Sequence, residues 1–208
     1  MTGKRLILAS GSPRRRALLE MLHIPFETCV TNADESLDPT WSPHVAVEQL
    51  ALKKATAAVH ERAFHAAIIL AADTVVSING QIFGKPTDEQ HALSMLQQLQ
   101  GKQHDVFTGV CLYDVDKQIH LQTHVHTQVW MRPQDDDWLR WYIQTGEPLD
   151  KAGAYAIQGI GSLLIERIVG DYYNVVGLPL SSLDEAFISL GIPLRSLMNV
   201  SSSTPRVL

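Results

Sequence analysis

The residues with chemical potential in this chain fall in a few short stretches. Asp73 ends the apolar run Ile68-Ile69-Leu70-Ala71-Ala72. A carboxylate there costs free energy unless it is paired, bound to a metal or placed at a strand end. Strand ends beside a crossover are where open α/β sheets bind ligands. The bland alternative is a carboxylate capping a loop; the polar Thr74 beside it favours function. A second stretch, Ala9-Ser10-Gly11-Ser12-Pro13-Arg14-Arg15-Arg16, follows the apolar run Leu6-Ile7-Leu8. It reads as a tight turn into a helix N-terminus, with Ser12 as N-cap and Pro13 at the first helical position. Unpaired backbone N–H groups, two hydroxyls and the guanidinium groups then converge, which suits an anion and phosphate above all. Taken alone, such a turn is more often an ordinary capped helix with surface arginines. Lys85, held between Gly84 and Pro86, and Lys54 are point charges for a phosphate; Lys53 and Lys54 are also compatible with a solvated helix face. Asp34-Glu35 is an acidic pair in a polar loop. Such pairs are usually solvated, but with Asp73 one of them could hold a divalent cation alongside phosphate oxygens. Ser10, Ser12, Arg14, Arg15 and Lys85 thus describe a phosphate cradle beside carboxylates able to hold a metal and activate water. The matching chemistry is metal-assisted hydrolysis of a phosphoanhydride.

These groups must be positioned by alternating elements. Strands are expected at Leu6–Ala9, Phe26–Val30 and Ala66–Val76, then across a hairpin turn at Asn79-Gly80, with Val75–Ile78 and Gln81–Phe83 as its arms. Lys102–Asp114, Gln118–Arg132 and Leu163–Val169 complete the strands. Helices are expected at Pro13–Leu22, with Ala17, Leu18, Met21 and Leu22 inward, and from Ser42-Pro43 to His60. A helix over Asp88–Gln100 is capped by Thr87, and others cover Asp135–Thr145 and Leu180–Leu190. Gly146–Gly161 reads as irregular and Gly170–Gly177 as a loop, while 199–208 reads as a frayed tail. Hairpins mixed with crossovers indicate an α/β fold with a mixed β-sheet. No linker divides the chain, so 1–198 is expected to be a single domain.

Of the 208 residues, 45% are hydrophobic and the net charge is −5, which provides for a core and argues against nucleic acid as a partner. Cys29 and Cys111 show no metal or disulfide spacing, and no apolar stretch is long enough for a membrane. A cytoplasmic protein is expected. His124 and His126 face one way on a strand, but no third ligand is spaced for a metal. Trp138 and Trp141 read as packing. Neither GxxxxGK[ST] nor GxSxG occurs.

From Leu6 to about Leu190 the chain resembles the Maf-like nucleoside triphosphate pyrophosphatases. The matching blocks are the Ser10–Arg15 turn, Asp34-Glu35, Ala72-Asp73-Thr74, Gly84-Lys85-Pro86, and Gly101 with His104, Val106, Thr108 and Gly109. They continue with Glu147-Pro148, Asp150-Lys151-Ala152-Gly153-Ala154-Tyr155, Ile157-Gln158-Gly159 and Asn174–Leu180. The resemblance implies an α/β fold like that of inosine triphosphate pyrophosphatases, with a long mixed β-sheet, flanking helices and two lobes around a cleft. It implies hydrolysis of a nucleoside triphosphate to monophosphate and pyrophosphate with a divalent cation, Mg²⁺ or Mn²⁺. Asp73 matches the proton acceptor, and Lys85 is expected beside it as a catalytic residue; Ser10, Arg14, Glu35, Lys54 and Lys85 match phosphate- and metal-contacting positions, with Glu35 and Asp73 toward the metal. Arg15, Thr74 and Gln158 match the substrate-specificity positions of the branch acting on dTTP and UTP. The 7-methyl-GTP branch instead has Trp before its arginine pair, Gln after the Asp and Glu for the late Gln. A homodimer is a family-level expectation. A nucleotide-binding regulator of septum formation, or a pyrophosphatase preferring another base, is the alternative.

Overall fold

The computed structural model describes residues 4–199, so the expected tail lies outside the described residues apart from Asn199. The strands are β1 (Arg5–Leu8), β2 (Glu27–Thr28), β3 (Ala67–Ile78), β4 (Gln81–Phe83), β5 (Gln103–Asp114), β6 (Ile119–Met131) and β7 (Ile165–Val169). The helices are α1 (Pro13–Met21), α2 (Pro43–Glu61), α3 (Glu89–Leu99), α4 (Asp136–Gln144), α5 (Tyr172–Val176) and α6 (Leu180–Ser189). The strands form one mixed sheet in the order β2-β1-β3-β5-β6-β7, with β4 paired to β3. β1 runs parallel to both β2 and β3, and the remaining pairs are antiparallel.

The alternation of side chains along β3 divides the core. Ile68, Leu70 and Ala72 pack with Leu18, Leu19, Leu183 and Phe187 of α1 and α6. Ile69 and Ala71 pack on the opposite face against Ala51, Ala55 and Ala58 of α2. Further along, Val76 joins Leu96, Leu99, Leu139 and Tyr142 of α3 and α4 in a separate cluster. The clusters built on α1/α6 and on α3/α4 are the two lobes, and the middle of β3 lies between them.

That middle is also an open edge. β1 pairs with β3 as far as Leu8 opposite Leu70, and Ala9 N–H donates to Leu70 C=O at 2.8 Å. β4 joins only at Val76 opposite Phe83. Between these points the ladder of β3 is completed by β5 alone. Asp73 and Thr74 sit in this gap, so polar side chains within a core strand reach a cavity.

Several expected boundaries shift, each for a local reason. The second strand shortens to Glu27–Thr28, and the seventh begins at Ile165 because Gly159–Leu164 forms a 3₁₀ helix. The expected loop at 170–177 contains α5. Asp171 caps it by accepting from Tyr173 N–H at 2.7 Å, and Gly177 ends it in the left-handed region, φ 115°. Asp88, not Thr87, caps α3: its carboxylate accepts from His91 N–H at 2.7 Å. On α1 the inward face is Arg15, Leu18 and Leu19, while Met21 is exposed. The expected apolar stripe was displaced because the buried position one turn before Leu18 and Leu19 is held by an arginine. Gly146–Gly161 consists largely of short 3₁₀ turns.

Candidate active site

The turn after β1 builds one wall. Ser12 caps α1, its Oγ accepting from Arg15 N–H at 3.5 Å, with Pro13 in the first turn. Ser10 Oγ accepts from Ser12 N–H and from Arg15 Nη1, both at 3.2 Å. The buried Arg15 also donates through Nε to Gly177 C=O at 2.8 Å and through Nη2 to Thr74 Oγ1 at 3.1 Å. Burial works to lower its pKa, opposed by the nearby Asp73 carboxylate; a guanidinium nonetheless remains charged. Thr108 Oγ1 donates to Asn174 C=O at 2.8 Å and lies 2.9 Å from Thr74 Oγ1. A hydroxyl has one proton, so Thr74 donates to Thr108 and accepts from Arg15. Thr74 therefore fixes the arginine fork.

Asp73 and its partners build the floor. α2 places Lys54 inward because it falls one turn beyond the buried Leu50 and Ala51. Its ammonium lies 2.5 Å from Asp73 Oδ1 and 3.2 Å from Glu35 Oε1. Lys85 Nζ lies 3.9 Å from Glu35 Oε2. Burial alone would raise the Glu35 pKa, but Lys54, Lys85 and Arg15 outweigh it and hold the carboxyl below its usual range. Asp34 does not share this place. It is exposed and accepts from Ser36 N–H at 2.9 Å and Ser36 Oγ at 2.7 Å. Lys53 remains outside too, 3.7 Å from Asp34.

The third wall comes from the irregular segment. Arg14 Nη1 lies 3.2 Å from Asp150 Oδ2, and Lys151 also pairs with Asp150. Tyr155 lines the cavity, and its hydroxyl lies 2.7 Å from His104 Nε2. Burial pushes the His104 pKa down to about 4. A histidine neutral in the fold but free to protonate near 6.5 when unfolded leaves stability flat above about pH 6.5. Stability then falls as the pH drops toward 4, by about 3 kcal/mol in full. Denaturant titrations from pH 7 to 4.5 should show this slope, and His104→Gln should flatten it whatever its stability at pH 7. Equal slopes in the two proteins would refute it.

Together these walls enclose a cavity of about 360 Å³. Every proposed site residue lines it: Ser10, Ser12, Arg14, Arg15, Glu35, Lys54, Asp73, Thr74, Lys85 and Gln158. Arg16, the third arginine of the turn, is exposed. Five cationic side chains (Arg14, Arg15, Lys54, Lys85, Lys151) face three carboxylates (Glu35, Asp73, Asp150). A chain of net charge −5 thus concentrates positive charge in one place, as an anion site requires. Glu35 and Asp73 share one ammonium, and two carboxylates that a cation already bridges are a donor set suited to Mg²⁺ with phosphate oxygens. Among the described residues no group of three or more His, Cys, Asp or Glu is arranged for a metal. His124 and His126 instead meet Glu48 at 2.8 Å and Asp105 at 2.7 Å. Trp138 and Trp141 pack edge to face at 5.6 Å.

Asp150, Lys151 and Tyr155 escaped assignment from sequence, although the charged doublet inside a glycine-rich segment was a visible signal. Gly109 also escaped. It lies opposite Asp73 in the ladder, and a Cβ there would fall 2.4 Å from the Val47 carbonyl of α2. The bare backbone lets α2 come close enough for Lys54 to reach Asp73.

The family model described as "Maf-like protein" matches residues 5–190. A protein of Halalkalibacterium halodurans named dTTP/UTP pyrophosphatase is 52% identical over 86% of this chain and 92% of its own length. One of the same name from Caldicellulosiruptor bescii is 47% identical over 92% and 97%. The Ham1 protein of Staphylococcus aureus aligns with TM-score 0.47 and 14% identity over 78% of this chain and 80% of its own. No described helix is long and apolar enough to cross a membrane.

Proposed function

The chain belongs to the Maf-like protein family, and on that footing we propose that it hydrolyses dTTP and UTP to the monophosphate and pyrophosphate. The observation that carries this reading is the buried Asp73–Lys54 pair, joined by the exposed Glu35, facing the Ser10–Arg15 turn across one cationic cavity. Family relatives at 47–52% identity named dTTP/UTP pyrophosphatase support the choice of base.

The Ser12-capped turn, Arg14 and Lys85 bind the phosphates, and Lys54 supplies a further charge at the floor. Asp73 accepts a proton from the water whose oxygen bonds to the α-phosphorus. The bond from that phosphorus to the bridging oxygen breaks, and pyrophosphate leaves. A divalent cation, Mg²⁺ or Mn²⁺, would be held by Glu35 and Asp73 and would supply charge neutralisation on the phosphates. Arg15 is fixed by Thr74, Ser10 and Gly177, and Gln158 offers an amide with both donor and acceptor to a pyrimidine edge.

A nucleotide panel with Mg²⁺ or Mn²⁺ tests the reading: dTTP, UTP, CTP and 7-methyl-GTP, with products separated. Monophosphate and pyrophosphate, fastest from dTTP and UTP, are expected. Diphosphate and phosphate, no turnover or a purine preference would overturn it. We also propose a reducing cytoplasm as the setting, in keeping with buried free thiols at Cys29 and Cys111, and a homodimer, which gel filtration reads directly.

A further inference from the structure

We propose that Glu147, which lies outside the cavity, sets base selectivity by holding Gln158 in place. The proposal rests on the reading of Gln158 as the group that meets the base. Gln158 is the N-cap of the 3₁₀ helix Gly159–Leu164, yet its side chain makes no capping bond. The first N–H groups of a helix need acceptors. Here Glu147 provides them from another segment: Oε2 accepts from Ile160 N–H at 3.0 Å and Oε1 from Gly161 N–H at 2.8 Å. The amide of Gln158 is thereby released from capping and left exposed on the cavity wall.

The same carboxylate ties down the other side of Gln158. Tyr142, fully buried, donates its hydroxyl to Glu147 Oε1 at 2.8 Å and accepts from Ala156 N–H at 3.3 Å. Residues 156 and 160–161 are thus clamped to one Tyr142–Glu147 pair with Gln158 between them. Two glycines let the loop close on that pair. A Cβ at Gly159 would fall 2.5 Å from Glu147 Oε2, and one at Gly161 would fall 2.4 Å from Tyr142 Oη. The backbone hydrogen bonds, the tyrosine and Lys151 outweigh burial and keep Glu147 below its usual pKa, so the clamp is charged.

Glu147 is therefore a positioning residue, and a loss of base reading separates that role from simple structural support. In Glu147→Gln one acceptor becomes a donor facing backbone N–H. The kcat/KM ratio of dTTP over dCTP should fall about tenfold, through a higher KM for dTTP with kcat nearly kept. In a Gln158→Ala background the same change should lower the ratio no further, the mark of two residues acting as one. If Glu147→Gln does not fold, Tyr142→Phe, which removes only the hydroxyl, should lower the ratio in the same way. An unchanged ratio in the folded Glu147 or Tyr142 variant, with a reduced one in Gln158→Ala, overturns the clamp alone. An unchanged ratio in Gln158→Ala overturns the reading beneath it, and the clamp with it. A further loss in the double variant also overturns the proposal.

Discussion

Asp73→Asn should lower pyrophosphate release by about a thousandfold while nucleotide still binds. Asn has nearly the same shape and keeps an oxygen for Lys54, which retains Glu35 at 3.2 Å. The fold should therefore survive with a modest loss in melting temperature. The substitution removes the negative charge proposed to accept a proton from water, and general-base groups contribute about 10²- to 10⁴-fold. Pyrophosphate release at saturating dTTP measures the first effect, and titration with a non-hydrolysable dTTP analogue measures binding. Near-normal release would remove Asp73 from the chemistry. The dependence on Mg²⁺ separates two roles. If Asp73 also holds the cation, the variant will need more Mg²⁺ for half-maximal rate; if it is only a base, that concentration will not move.

Gly109→Ala should be nearly as damaging, although the residue does not line the cavity. The added Cβ would stand 2.4 Å from both the carbonyl carbon and oxygen of Val47 and 2.8 Å from Glu48 N. These are backbone atoms of α2, so the clash is relieved only by moving the helix off the sheet. Overpacking of this kind costs about 1–3 kcal/mol. Here it also carries Lys54 away from Asp73. A misplacement near 1 Å costs about a hundredfold in rate, and that loss is expected beyond what incomplete folding explains. Gly84→Ala is the contrast in stability: its Cβ would meet nothing within 4 Å, and its unfolding midpoint should stay close to the parent's. A Gly109→Ala protein with parental turnover would show that α2 is not held by this contact.

Much of the site was legible because its parts are local. The apolar run before Asp73, the Ser12-Pro13 cap and the glycine-bounded Lys85 each announce themselves within a few residues. Helical spacing also held the answer for Lys54, one turn from Leu50 and Ala51, and for Arg15 beside Leu18 and Leu19. The carboxylate doublet was harder. Adjacent acids in a loop have no periodicity, and only the packed loop turned Glu35 toward Lys54 and left Asp34 bonded to Ser36.

Residue types and short spacings by themselves determined most of the elements, the capped turn after β1 and the conspicuous carboxylate, because strand period, helix period and caps act over a few residues. The tertiary structure alone decided that β1 leaves β3 and β4 joins it on either side of Asp73, opening the edge there. It alone joined Arg15 to Thr74 and Gly177, Arg14 to Asp150, and Glu147 to the backbone around Gln158. Those contacts depend on sheet register and on how closely helices approach, quantities summed over the whole core and written in no single stretch of chain.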